Sequence, residues 1–282
     1  MAYTRLASPM SAALIASLAT LAGCIPADWG ANAVLHPHRR RVTRTPPLRH
    51  ETLSFENDGV TLAGWAFRAD PSRRGWLVYL HGIADNRESG IGFAQRFVPQ
   101  GYDVLVYDSR AHGESTGSAV TYGVREKEDL RKALDAVGAE RAILFGCSLG
   151  ASVALQAAAG DPRVAGVIAQ SPFADLRSIA HDRRPFVFTR AKTESALALA
   201  GKRGAFDVDE ASVLRAAPHV RVPVLLIHGD ADRETRASHS RRIFDALAGR
   251  KELLIVPGAG HDDTLARPET WRRIEEWLVQ LQ

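Results

Sequence analysis

Ser148 lies in Gly146-Cys147-Ser148-Leu149-Gly150, between the apolar run Ala142–Phe145 and an alanine-rich stretch that includes Ala151, Val153, Ala154, Leu155 and Ala157. G-x-S-x-G between a strand and a helix is a nucleophile elbow. The tight turn lifts a hydroxyl off the strand end, and the helix N-terminus beneath it favours developing negative charge. Gly146 and Gly150 are expected where the two backbones crowd, so that a larger residue at either would clash. A serine hydroxyl is a weak nucleophile without a base, and the base needs a carboxylate to orient it. Of the ten histidines, His261 follows the apolar run Leu253–Val256 in Pro257-Gly258-Ala259-Gly260-His261-Asp262. A glycine-rich loop at a strand end can carry an imidazole over Ser148. His36, His38 and His50 sit in an N-terminal stretch without periodicity, and His112, His181, His219 and His239 lie in loop or helical segments without such a setting. The carboxylate is expected just after Val224–Ile227, where Asp230 and Asp232 compete in His228-Gly229-Asp230-Ala231-Asp232. The oxyanion donors would be the backbone N–H groups of Leu149, after the nucleophile, and of Ile83 in His81-Gly82-Ile83-Ala84. There Gly82 would allow close approach of the backbone to the reacting carbonyl, and His81 would shape the loop. The chemistry that such groups perform together is acyl transfer, in the chain order serine, aspartate, histidine.

These residues need strand ends to hold them. Leu53 to Phe55 and Val60 to Phe67 alternate apolar and polar residues around Asn57-Asp58-Gly59, which predicts an antiparallel hairpin. Continuous apolar runs follow at Trp76–Leu80, Val104–Tyr107, Ala142–Phe145, Val164–Ala169, Val224–Ile227 and Leu253–Val256. Runs of this kind mark strands buried on both faces. Helical spacing between them, as in Val124-Leu130-Leu134-Val137 and Ile243-Phe244-Leu247, predicts a mostly parallel sheet flanked by helices. One interval, 172–222, has no clear strand but contains Phe173, Phe186, Phe188 and the helix-like run Glu194 to Ala200. It is expected to be a small helical lid whose apolar side chains line an acyl pocket. The alternative is a longer crossover whose phenylalanines pack on the sheet.

Taken together, Tyr79-Leu80-His81-Gly82, Tyr107-Asp108-Ser109-Arg110-Ala111-His112-Gly113-Glu114-Ser115, the serine elbow, Ile227-His228-Gly229-Asp230-Ala231-Asp232 and Gly258-Ala259-Gly260-His261-Asp262 resemble the α/β-hydrolase superfamily across residues 51–282. Within it they are similar to the bacterial serine aminopeptidase and Bem46-like group. The resemblance implies the α/β-hydrolase fold and a Ser148-His261-Asp232 triad, with the acid at the last position of H-G-x-x-D and Asp230 left to shape the loop. Two positions depart from the family pattern. Ala111 stands where D-x-R-G-x-G-x-S has glycine, and Arg233 stands where proline often follows the acid. The implied function is a serine hydrolase of a carboxylic ester or thioester, acting on a small-molecule acyl substrate without a cofactor. Alternatives are an amidase or peptidase, with Glu194, Asp207, Asp209 or Glu210 as amine-binding lid groups, and a catalytically silent ligand-binding lipoprotein. A metal enzyme is disfavoured, because His261-Asp262-Asp263 has no second histidine at ligand spacing.

The N-terminus reads as an address. One positive side chain, Arg5, precedes the uncharged stretch Ser11 to Gly23, which closes with Leu21-Ala22-Gly23-Cys24. The stretch is short for a bilayer span, which needs roughly twenty residues, and suits a secretory signal. Leu-Ala-Gly-Cys resembles a bacterial lipobox. It implies a signal peptide at 1–23 and lipid on Cys24, with a membrane as partner through that anchor, and Ile25 after the cysteine suggests the outer membrane or its periplasmic face. The alternative is an uncleaved anchor helix over 6–26. Residues 24–50 carry Pro26, Pro37, Pro46, Pro47 and a run of arginines, and read as a solvated tether, with attraction to anionic headgroups as the sharper alternative. The +4 net charge of the 282 residues comes largely from that run, so a broad nucleic-acid footprint is not expected. With two cysteines there is no disulfide framework, and in a lipidated chain Cys147 is left as a buried, inert thiol.

Overall fold

A computed structural model describes residues 27–70 and 74–281. Cys24 and the proposed signal peptide lie outside these residues. The strands are β1 (Glu51–Asn57), β2 (Val60–Phe67), β3 (Trp76–Leu80), β4 (Asp103–Tyr107), β5 (Ala142–Cys147), β6 (Val164–Gln170), β7 (Val224–Gly229) and β8 (Lys251–Val256). They form one sheet in the order β1-β2-β4-β3-β5-β6-β7-β8. β1, β2 and β4 pair antiparallel, and every later pairing is parallel. Asp58 and Gly59 both take positive φ (51° and 70°), as the tight turn between β1 and β2 requires.

The helices are α1 (Ala27–Leu35), α2 (Ile91–Phe97), α3 (Glu126–Ala136), α4 (Leu149–Ala158), α5 (Leu176–Asp182), α6 (Arg190–Gly204), α7 (Val213–Ala216), α8 (Ser238–Ala246) and α9 (Pro268–Val279). Successive residues of a buried strand feed opposite faces. Val78, Leu80 and Leu144 join one core with Leu130 and Leu134 of α3, Val153 of α4 and Ile243 of α8. Leu77, Tyr79, Ile143 and Phe145 join the other with Phe93 of α2 and Ile274 and Trp277 of α9. The continuous apolar runs therefore have the expected cause: both faces of the sheet are covered.

The interval after β6 holds α5, α6 and α7, so it is helical as expected. Its phenylalanines divide. Phe173 and Phe188 are buried, whereas Phe186 is 92% exposed and lines no cavity at Ser148. The tether reading of 24–50 needs a larger correction. Its residues 27–35 are α1, which lies along α6: Ala31 and Leu35 are buried with Ala200, and Asp28 pairs with Arg203. The arginine run is also engaged. Arg39 donates to the carbonyls of Gly113, Ser115 and Gly117, Arg40 pairs with Asp85, and the N–H groups of Thr43 and Arg44 donate to the Glu88 carboxylate. Prolines and arginines do suggest a solvated linker, but carboxylates and carbonyls of the body take up their charge and polar groups.

Candidate active site

The elbow follows from backbone crowding. Ser148 sits at φ 51° and ψ −109°, a strained conformation for a side-chain-bearing residue, at the start of α4. A Cβ on Gly146 would lie 2.4 Å from the backbone of Gly150 and Ala151, and one on Gly150 2.2 Å from the Leu80 carbonyl oxygen. Both glycines are therefore required, as the pattern predicts. Gly82 is different: a Cβ there would make ordinary contact, 3.6 Å from Ser148 Cβ. The backbone tolerates a side chain at that position. What glycine provides is free space between that loop and Ser148.

Asp232 and His261 meet directly. His261 Nδ1 lies 2.7 Å from Asp232 Oδ2. The other oxygen, Oδ1, accepts from the N–H groups of Glu234 and Thr235, both at 2.9 Å, which closes the acid loop without the family's proline. His228 Nε2 approaches Oδ2 at 3.2 Å and is itself fixed by Ser240 and by the Thr235 carbonyl. Burial would raise the Asp232 pKa, but hydrogen bonds from His228, His261 and the Thr235 N–H outweigh it and hold the carboxyl far below the usual carboxylate range. Asp230 makes no such contact. Its Oδ1 accepts from the Gly258 N–H at 2.6 Å, so it ties the histidine loop to the acid loop. Gln170, at the end of β6, links Ser148 and His261: its carbonyl accepts from Ser148 N–H at 2.8 Å, and its Nε2 donates to the His261 carbonyl at 2.5 Å.

The two N–H groups expected as oxyanion donors belong to residues that line a cavity with Ser148. Among the described residues, the N–H groups of Ile83 and Leu149 have no hydrogen-bond acceptor. The Ile83 loop is buttressed by the segment after β4. His81 Nε2 accepts from Ser109 N–H at 3.0 Å, and His112 Nε2 accepts from Ala84 N–H at 3.1 Å. His81 thus shapes the loop as expected. Ala84 itself is left-handed (φ 58°), so His112 holds a turn that would otherwise relax. The role of His112 escaped the sequence reading, although its position inside the D-x-R-x-H stretch is a usable signal. Ala111 occupies the family's glycine position at φ 62°, which explains why glycine is usual there.

Burial, with His81 beside it, lowers the His112 pKa to about 4, against the opposing hydrogen bond to the Arg110 carbonyl. The neutral ring is the one that can accept from Ala84. The unfolded chain takes up a proton near the ordinary histidine value of about 6.5 while the folded one does not, so protons favour unfolding in that window. Stability should therefore fall as pH drops from about 6.5 towards 4. Urea titrations should show a shallower fall over this range for His112→Gln, whose amide oxygen can still accept.

Ser148 separates two cavities. One, of about 340 Å³, is lined by apolar groups, including Val34 of α1, Phe173, Leu176 and Ile179 at and in α5, Phe188, and Leu197 of α6. The other, of about 420 Å³, is lined mainly by polar groups, among them Tyr79, Asp85, Gln170, Glu234, His261 and Asp262. Ser148 and Ile83 border both, Leu149 borders the apolar cavity and His261 the polar one. Cys147 also borders the polar cavity, half-buried rather than fully buried as expected. Loss of solvation pushes its thiol up to about 12, although a hydrogen bond to Tyr79 opposes this, so it stays protonated and inert near neutrality.

Residues 75–215 match the family model of the alpha/beta hydrolase fold. YqkD of Bacillus subtilis is 29% identical over 230 residues, covering 72% of this chain and 70% of that protein. Among solved structures, an esterase of Pyrococcus furiosus superposes with a TM-score of 0.72 at 24% identity, covering 88% of this chain and 98% of the esterase. An N-acyl homoserine lactone degrading enzyme superposes at 0.61 with 20% identity, covering 79% and 99% respectively. At these identities the two structures speak to the fold.

Proposed function

Because this chain belongs to the alpha/beta hydrolase fold family, we propose that it is a serine hydrolase that cleaves a carboxylic ester or thioester through an acyl-enzyme. Ser148 attacks the acyl carbon, and His261, held by Asp232, takes its proton. The N–H groups of Ile83 and Leu149 receive the oxyanion. His261 then returns the proton to the leaving alcohol or thiol, and water releases the acyl group by the same steps in reverse. The observation that carries this reading is the Asp232–His261 contact at 2.7 Å in a cavity that Ser148 shares. The quoted motifs support a place in the serine aminopeptidase and Bem46-like group.

The two cavities support an assignment of substrate halves. The leaving group must end where His261 can protonate it, so it belongs in the polar cavity. The acyl chain then lies in the apolar one, whose size falls in the range of small-ligand sites, roughly 300–1,000 Å³. The substrate class is an apolar acyl group on a polar alcohol or thiol. Nitrophenyl esters of increasing acyl length test this. Phe188→Ala should move the preferred length upward by removing a cavity wall, while Phe186→Ala should leave it unchanged. The reading fails if fluorophosphonate does not label the protein, in which case a silent ligand-binding lipoprotein takes its place. An amidase is the second reading. The acidic lid groups do not favour it, because Glu194 and Asp209 are paired with Arg177 and neither lines a cavity at Ser148. Asp262 in the polar cavity does, since it can receive an amine, and turnover of nitroanilides above the matching esters would decide for it.

We further propose that the mature protein begins at Cys24 as a cell-envelope lipoprotein of the outer membrane or its periplasmic face. Leu21-Ala22-Gly23-Cys24 supports this. Cys24→Ala should leave the protein unprocessed and without lipid by intact mass; an intact Met1 in wild type, recovered in a membrane fraction, would favour the anchor helix instead.

A further inference from the structure

Large apolar side chains that remain exposed mark contact surfaces when they cluster. Among the described residues three stand out: Trp29 at 53% exposure, Phe186 at 92% and Val279 at 62%. Two of the three adjoin one feature. The exposed members of the apolar cavity's lining are Trp29, Ala33, Arg183, Arg184 and Pro185, so they form its mouth. Trp29 packs on Phe188 at 5.8 Å between ring centroids, and Phe186 follows Pro185 directly in the chain with its side chain exposed. Val279 lies elsewhere, at the end of α9, which covers the opposite face of the sheet.

The rim is basic. From Asp182 to Glu194 the chain carries Arg183, Arg184, Arg190 and Lys192 against two acidic residues, of which Asp182 faces His239 and Glu194 faces Arg177 and His181. Arg183 is tied to Glu234 and Thr235, whereas Arg184 and Arg190 are exposed. Asp28, the acidic residue of α1, is neutralised by Arg203. α1 begins at Ala27, two residues before Trp29.

We propose that this rim docks on an anionic lipid surface, with Phe186 and Trp29 entering the headgroup boundary and Arg184 and Arg190 meeting the phosphates. Aromatic side chains beside basic ones are the composition that holds a protein at such an interface. Basic groups near a negatively charged leaflet are attracted to it, and salt screens that attraction. Docking there points the apolar cavity's mouth at the lipid. An acyl chain can then pass from bilayer to Ser148 without crossing water, a consequence that rests on the acyl assignment above. The docking itself does not depend on it, nor on lipid at Cys24.

A fluorescent reporter at residue 186 tests the docking. The full chain carrying Cys24→Ser and Phe186→Cys is labelled with an environment-sensitive nitrobenzoxadiazole at the new thiol, Cys147 being protonated and inert, and intact mass verifies a single label. The reference is the same chain labelled through Val279→Cys in place of Phe186→Cys. On vesicles of phosphatidylcholine with phosphatidylglycerol, emission from position 186 should rise several-fold and shift to the blue, while position 279 stays water-like. The rise should shrink on pure phosphatidylcholine, and also in 1 M salt, where screening shortens to about 3 Å. Arg184→Glu with Arg190→Glu should reduce it likewise. An unchanged signal at 186 overturns the proposal, as does an equal rise at 279 or a rise at 186 that needs no vesicles and grows with protein concentration, which would mark a second copy as the occupant. Phe186→Ser should not alter fluorophosphonate labelling in solution, so docking and catalysis can fail separately.

Discussion

Ser148→Ala should abolish fluorophosphonate labelling and lower ester turnover on the order of a million-fold, the loss seen when a triad nucleophile is removed. The residue left behind should fold normally. Ser148 occupies a strained turn whose geometry is imposed by Gly146, Gly150 and the Leu80 carbonyl rather than by its own hydroxyl. Its Oγ carries no structural hydrogen bond among the described residues, whereas its backbone N–H is fixed on Gln170. An unchanged circular dichroism spectrum and urea midpoint together with lost labelling would assign the loss to chemistry. Labelling that persists at another serine would remove Ser148 from the proposed mechanism.

Asp232→Asn should lower turnover by roughly ten-thousand-fold, as expected when a triad imidazole is forced into the wrong tautomer. The hydrogen bonds dictate how. Oδ1 accepts from two backbone N–H groups, so the amide oxygen of asparagine must stay on that side. The amide NH2 is then turned toward His261 and His228, where the carboxylate accepted. Nδ1 of His261 must become an acceptor, Nε2 carries the proton, and the ring can no longer take one from Ser148. Asp230→Asn should keep its turnover, because an amide oxygen still accepts from the Gly258 N–H. Steady-state kinetics on both variants decide the matter, and the reverse pattern would exchange the two roles.

Both variants rest on residues that local sequence made legible. A strand buried on both faces must be continuously apolar, an elbow must have glycine where backbones crowd, and a catalytic loop must leave a strand end. These are short-range constraints, so β3 to β8, the serine elbow and the two loops bearing Asp232 and His261 could be read in order along the chain. The choice between Asp230 and Asp232 was not local. It came from resemblance at first, and the contacts then gave the two aspartates different partners.

What sequence alone determined is thus the sheet, the elbow and the positions of the residues proposed to perform acyl transfer, because each is dictated by neighbours a few positions away. Tertiary structure decided the rest. Phe186 and Phe188 are two positions apart in one loop, yet only Phe188 turns into the cavity. Residues 27–50 have a linker's composition, but α1 finds its apolar partner in α6, some 160 positions later, and Arg39 finds carbonyls at 113–117. His112, His228 and Gln170 acquire positioning roles only where distant backbone donors and acceptors meet them. The split of the site into apolar and polar cavities likewise needs α1, α5, α6 and the loops of the last two strands to converge on Ser148. No stretch of sequence encodes that convergence by itself, because burial and hydrogen-bond satisfaction are set by which surfaces meet when the chain closes.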